Sequence, residues 1–146
     1  MKYLIILGCS VVLSSCANLP TTKEQMLTSK HETYSFCSSK DFTTIDQKTQ
    51  KYLSKCYNAP KVIVNGANVS ATYFIQKSIV GEVAEYSVTM QQLRKDPAYL
   101  LSITISPDIG DCKYKVVSNG FNSYWIKNSK KIEESINGES PSCPIF

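Results

Sequence analysis

Four successive short segments between Val69 and Val116 alternate apolar and polar residues, and this pattern constrains the fold more than any other feature of the chain. The segments are residues 69–75, 84–90, 99–106 and 112–116. Turn-forming residues separate them, among them residues 94–97 and Pro107 to Asp111. Because successive side chains of a strand point to opposite faces, this period of two predicts an antiparallel meander with one face on a core.

Two helical patterns flank the alternating segments. After a short strand-forming run at residues 33–37, apolar residues recur at helical spacing over residues 39–57, and Ser38 with Asp41 three residues on predicts the N-terminal cap. A second helical pattern covers residues 121–137 and is followed by Gly138. We therefore predict one α+β domain over residues 32–146, with a helix at about 39–57, a meander of four to six strands and a helix at about 121–137.

The N-terminus carries an export signal. Lys2 precedes an apolar run from Tyr3 to Leu13, which is shorter than the roughly 20 apolar residues that span a bilayer. Leu13-Ser14-Ser15-Cys16 follows, and it resembles the lipobox of bacterial lipoproteins. The resemblance implies that residues 1–15 are a signal peptide that is removed and that Cys16 is acylated, with palmitate as a typical acyl group.

The residues behind the anchor predict where the protein resides. Ala17 stands where inner-membrane lipoproteins tend to carry aspartate, so the resemblance implies the outer membrane, facing the periplasm, in a Gram-negative host. Residues 16–31 are polar and show no hydrophobic period. We predict that they form the lipidated cysteine and a flexible tether, which ends at His31.

The cysteines predict a framework of two disulfides. The chain has six cysteines, and four of them remain once Cys16 is acylated and Cys9 is removed: Cys37, Cys56, Cys112 and Cys143. An even number in an exported domain is typical of structural disulfides. No two have the close spacing of a structural zinc site, so we expect neither a metal nor a cofactor.

The predicted helix constrains the pairing of these cysteines. A straight helix between Cys37 and Cys56 separates them by roughly 25 Å, and a disulfide requires Cα atoms within about 7 Å. This separation favours Cys37–Cys112 with Cys56–Cys143. The sequential pairing, Cys37–Cys56 with Cys112–Cys143, stays open, because the closing helix returns Cys143 towards Cys112.

Charge and motifs exclude several function classes. The net charge of +4 is scattered along the chain, and a nucleic-acid partner is not expected. The chain has one histidine and lacks a Gly-x-Ser-x-Gly elbow, a glycine-rich phosphate loop and a His-Glu-x-x-His helix. We predict that the protein is not an enzyme.

Aromatic residues are the remaining feature above background. The element order loosely resembles the helix-grip fold of hydrophobe-binding domains, which implies a cavity for an apolar ligand lined by Tyr73, Tyr86, Tyr99, Tyr114 and Trp125. Packing in the core and on strand faces is the alternative for the same residues.

The expected function is therefore that of a membrane-anchored lipoprotein that binds an envelope protein or a small apolar ligand. The alternatives are an inhibitor or immunity-type lipoprotein that acts on a cell-wall enzyme, and a carboxylate-dependent envelope hydrolase.

Overall fold

The computed structural model describes residues 19–29, 32–58, 72–92, 95–110 and 112–143, together with the backbone of residues 63–64 and 67–68. The predicted signal peptide, Cys16 and His31 lie outside the described residues.

The described chain is a five-stranded antiparallel sheet with helices. In chain order the elements are α1 (Lys23–Thr28), β1 (Glu32–Ser38), α2 (Phe42–Tyr57), β2 (Ile63–Val64), β3 (Ala67–Asn68), β4 (Tyr73–Val80), β5 (Val83–Gln92), β6 (Lys95–Pro107), β7 (Tyr114–Gly120) and α3 (Ser123–Ile136). The sheet order is β1-β7-β6-β5-β4, and β2 pairs with β3 in a separate hairpin. The predicted α+β fold, with a meander between two helices, is confirmed.

The two faces of the sheet differ in chemistry. On the face under α2 and α3, the register aligns Ala84, Ile105 and Val116, which are all fully buried. On the opposite face, which we call the outer face, the same strands align Glu85, Thr104 and polar neighbours such as Ser35 and Ser78. The apolar half of the alternation thus builds the core. The fully buried isoleucine, leucine and valine side chains of the core are Ile45, Leu53, Val88, Leu101, Ile103, Ile105, Val116 and Ile132.

Residues 19–29 differ from the predicted flexible tether. Thr22 accepts the N–H of Gln25 and caps α1, which contacts β6. Met26 is fully buried, and Lys23 forms an ion pair with Glu85 at 3.1 Å. Because Glu85 points to the outer face, α1 lies on that face. This packing could not be predicted from the sequence, because a six-residue helix with one buried side chain shows no hydrophobic period.

The start of α2 also differs from the prediction. Asp41, not Ser38, is the N-cap, and its carboxylate accepts the backbone N–H and the hydroxyl of Thr44 at 2.9 and 2.7 Å. Ser38 is buried as the last residue of β1. The strand therefore continues one residue further than predicted, and the helix begins three residues later.

Strand β6 begins inside the predicted turn at residues 94–97. It starts at Lys95 and contains Pro97, beside register shifts between Val88 and Thr89 and between Met90 and Gln92 of β5. Irregular pairing of this kind tolerates proline, which lacks the N–H that a regular ladder requires.

Candidate functional site

The disulfides hold the two helices and the first strand in place. Cys37 pairs with Cys112 and Cys56 with Cys143, with Cα separations of 5.3 and 5.1 Å. The favoured pairing is confirmed and the sequential pairing is wrong, because α2 is one continuous helix of 16 residues. Asp108 lies close to the first disulfide, but sulfurs bonded to each other leave no thiolate to bind a metal.

Two of the five aromatic residues predicted to line a pocket lie together. Trp125 and Tyr73 contact each other with ring centroids 6.1 Å apart, and Tyr57 stacks on Trp125 at 5.7 Å. The ring of Tyr124 contacts Trp125 at nearly a right angle, with centroids 5.7 Å apart. Burial is the main cause that raises the pKa of Tyr57 and of Tyr73.

The other three aromatic residues lie apart from that cluster. Tyr86 is buried in the core beneath α2, Tyr99 pairs with Thr89 on the outer face, and Tyr114 contacts Phe42 at 5.9 Å. The shift in register after Val88 contributes to this arrangement, because it places Tyr99 on the face opposite to Tyr86. The five residues therefore do not line one cavity.

A cleft of about 600 Å³ lies where the C-terminal end of α2 meets β4 and β5. Aromatic and aliphatic groups line part of it, and amide and hydroxyl groups line the rest. Its lining residues are Ser54, Tyr57, Asn58, Tyr73, Phe74, Ile75, Gln76, Thr89, Gln91 and Pro97. Since four of them belong to β4, the cleft adjoins an edge of the sheet.

Strand β4 carries most of the exposed apolar surface. Four large hydrophobic side chains are exposed among the described residues, and Phe74, Ile79 and Val80 of β4 are three of them, at 43%, 48% and 77%. Ile109 is the fourth and lies in the turn before β7. Sequence analysis missed Ile79 and Val80, although an apolar pair directly before Gly81 is a signal for a strand that ends at a turn.

The one cation of β4, Lys77, is bonded to α2, and its side chain is 25% exposed. The Nζ of Lys77 lies 2.7 Å from Oδ2 of Asp46 and 3.0 Å from Oε1 of Gln50, both on α2. The hydroxyl of Tyr86 donates to Oδ1 of the same Asp46 at 2.6 Å. Burial and this hydrogen bond raise the pKa of Tyr86. The charge of Lys77 is thus neutralised by a carboxylate of α2, and it protects the edge less than a free charge would.

Comparisons with known proteins provide no relative. No protein-family model, no curated protein and no solved structure matches the chain. Within the described ranges, none of the helices has the length and apolar character needed to cross a membrane.

Proposed function

We propose that the chain is a lipid-anchored protein of the bacterial cell envelope that acts by binding another protein along the open edge at β4. One observation carries the binding proposal: β4, one of the two edge strands of the sheet, holds three of the four exposed large hydrophobics among the described residues. The lipobox at residues 13–16 supports the anchor, and two disulfides agree with an oxidising compartment.

An open edge strand can bind a segment of another protein by strand addition. Strand β4 has eight residues and hydrogen-bonds to β5 on one side, and among the described residues no strand pairs with its other side. Its outward backbone N–H and C=O groups can therefore pair with an extended segment. Phe74, Ile79 and Val80 would then be covered by the side chains of that segment.

The cleft beside β4 can provide specificity to the same interaction. In strand addition, main-chain hydrogen bonds contribute affinity, and pockets for individual side chains select the partner. Tyr57 and Phe74 line the cleft with apolar surface, and Asn58 and Gln91 add polar groups. An aromatic or aliphatic side chain of the bound segment would fit this lining.

The chemistry of the cleft favours binding over catalysis. Its described lining consists of aromatic, aliphatic, amide and hydroxyl side chains, and none of these lining residues is a carboxylate, histidine or thiol. General acid–base work in hydrolases usually depends on such groups. A small apolar ligand in the same cleft is the second candidate, favoured by its aromatic lining and by its volume of about 600 Å³.

Site-specific photocrosslinking in whole envelopes tests the proposal. A photoreactive residue at Ser78, an exposed position on β4, should give a protein adduct. The same residue at Ser35, an exposed position on β1, is the matched control and should give none. Val80→Lys should abolish the adduct, because it places a charge in the contact.

Three outcomes would contradict parts of the proposal. Equal adducts at Ser78 and Ser35 would remove the preference for β4. No protein adduct, with a small co-purified molecule in native mass spectrometry, would favour the second candidate. In the same cells, the Cys16→Ala protein should no longer partition into the detergent phase. Partitioning equal to that of the wild type would contradict the lipid anchor.

A further inference from the structure

We infer that the protein added to β4 is a second copy of this chain, paired antiparallel about a two-fold axis through Lys77. The inference rests on the proposed function, since it identifies the partner at the same edge. It would join two five-stranded sheets into one continuous sheet of an isologous dimer.

The residues of β4 are complementary to themselves in this register. Directly opposed residues of an antiparallel pair share a face of the sheet. With Lys77 opposite Lys77 of the second copy, Phe74 faces Val80 of the second copy and Ile75 faces Ile79 of the second copy. By symmetry each apolar pair forms twice, so the exposed Phe74, Ile79 and Val80 all obtain apolar neighbours.

Neighbouring symmetric registers lack this match. If the two-fold axis passes through Gln76 instead of Lys77, Phe74 lies opposite Ser78 and Ile75 lies opposite Lys77. If the axis passes through Ser78, Gln76 lies opposite Val80 and Lys77 lies opposite Ile79. Of the registers centred on Gln76, Lys77 and Ser78, the one centred on Lys77 pairs apolar with apolar residues on both faces of the sheet, and it covers the exposed apolar residues at both ends of β4.

Charge does not oppose the pairing at the axis. Two lysines would meet there, but each Lys77 is bonded to Asp46 of its own chain at 2.7 Å. Apart from Asp46, the residues of α2 and its C-cap that border β4 here are neutral: Gln50 is bonded to Lys77, and Ser54 and Asn58 line the cleft. The lysines of α2 line a different groove, against the end of α3: Lys48, Lys51 and Lys55.

The position of α1 agrees with two anchors in one membrane. A two-fold axis between antiparallel edge strands runs perpendicular to the sheet, so the outer faces of both copies lie on the same side. Segment α1 packs on the outer face through Met26 and the Lys23–Glu85 ion pair. Both N-terminal segments would therefore lie on the same side of the joined sheet, where two lipid anchors can enter one bilayer.

The mass of the full lipidated chain in detergent, measured by analytical ultracentrifugation, tests the inference. We expect a dimer for the wild type. Val80→Lys should weaken association by about tenfold or more, because it disrupts two apolar pairs. Ile109→Lys is the matched control, since Ile109 is also exposed but lies in the turn before β7, and this variant should remain a dimer. Val80 is 77% exposed, so its replacement should leave the fold unchanged, as checked by circular dichroism.

Cysteine crosslinking tests the register. Gln76→Cys and Ser78→Cys, made in separate copies and expressed together, should form a disulfide between copies, because opposed Cα atoms lie about 4.5–5.5 Å apart. Either variant expressed alone should give little crosslinked dimer, since each position then faces an unmodified residue.

The outcomes separate this inference from the proposed function. A wild-type monomer whose Ser78 crosslinks to a different protein overturns the second copy as partner and leaves the binding edge intact. A dimer that survives Val80→Lys also overturns the inference. A monomer with no adduct at Ser78 overturns both.

Discussion

The two edge strands of the sheet differ in how they are tied to the rest of the molecule. Strand β1 is held by the disulfide of Cys37, and the hydroxyl of Tyr34 donates to the carboxylate of Glu133 on α3. The hydroxyl of Thr33 donates to Oδ1 of Asn119 on β7 at 2.8 Å. The polar side chains of β1 are thus hydrogen-bonded to neighbouring elements of the same chain.

Strand β4, unlike β1, has exposed apolar side chains along the edge of the sheet. Its lysine is bonded to α2, and its apolar side chains Phe74, Ile79 and Val80 are exposed. Natural sheets protect their edges with outward charges, proline, short strands or a covering element. Strand β4 has eight residues and no proline, its one charge is paired with Asp46 of α2, and no strand of the described chain covers its open side. Strand β1, in contrast, is bonded to α3 and to the β7 side of the sheet. The bonds of β1 stabilise the fold, and the contrast supports the proposal that β4 is the edge that binds a partner.

The largest expected effect is on the β1 edge. Cys37→Ser with Cys112→Ser should lower the free energy of unfolding by about 2–4 kcal/mol, because the disulfide constrains a long loop of the unfolded chain. Urea denaturation measures the loss. Cys56→Ser with Cys143→Ser is the matched control, since the two disulfides close loops of similar length, with sequence separations of 75 and 87.

Hydrogen exchange in the same variants tests whether the first disulfide holds the β1 edge. Amides of β1 should exchange faster in the Cys37/Cys112 variant than in the control, because only the first pair ties β1 to the residues before β7. Equal exchange of β1 in both variants would show that the disulfide is not what holds this edge.

A smaller loss is expected at the β4 edge. Asp46→Ala removes the carboxylate that pairs with Lys77 and accepts from the buried Tyr86, which should cost about 2 kcal/mol in urea denaturation. Glu134→Ala removes an ion pair with Lys131 whose side chains are 39% and 35% exposed, and it should change stability by less than about 1 kcal/mol.

Asp46→Ala should also change the charge at the β4 edge. Once Asp46 is replaced, the ammonium of Lys77 is free to turn towards solvent and protect β4, so the adduct at Ser78 should decrease. An undiminished adduct, with a normal fold, would contradict the role assigned to the Lys77–Asp46 pair.

The sequence predicts the fold well because local periods dictate it. Period-two alternation identifies strands, and helical spacing identifies α2 and α3, since each element has one buried face. The sequence also favours the observed disulfide pairing, because a continuous α2 holds Cys37 and Cys56 too far apart to bond, but the sequential pairing stays open without the structure.

The candidate site is less predictable because non-local pairing determines it. Which strand lies at an edge depends on topology: β1 inserts beside β7, and β4 is left at the other end. The direction of Lys77 depends on a carboxylate 31 residues earlier in the chain. The order of elements along the sequence contains neither relation. It therefore predicts a cavity lined by tyrosines, which the observed strand register does not form.

The smallest expected effect concerns Tyr34 on β1. Its hydrogen bond to Glu133 raises the pKa of Tyr34 from 10.0 to about 12. Tyr34→Phe should lower the free energy of unfolding by about 0.5–1 kcal/mol at pH 8, because the hydrogen bond is only partly buried. The stabilisation by Tyr34 is fully present below pH 10 and is lost as the pH rises towards 12, since the unfolded chain releases its proton first.

The difference in stability between wild type and Tyr34→Phe should therefore narrow between pH 8 and pH 11, while the other tyrosines affect both proteins equally. A constant difference would mean that the Tyr34–Glu133 bond does not tie β1 to α3. Crosslinking at Ser78 should be the same in both proteins, because Tyr34 lies at the opposite edge of the sheet. A reduced adduct in Tyr34→Phe would show instead that the two edges are coupled, and that β1 is not merely structural.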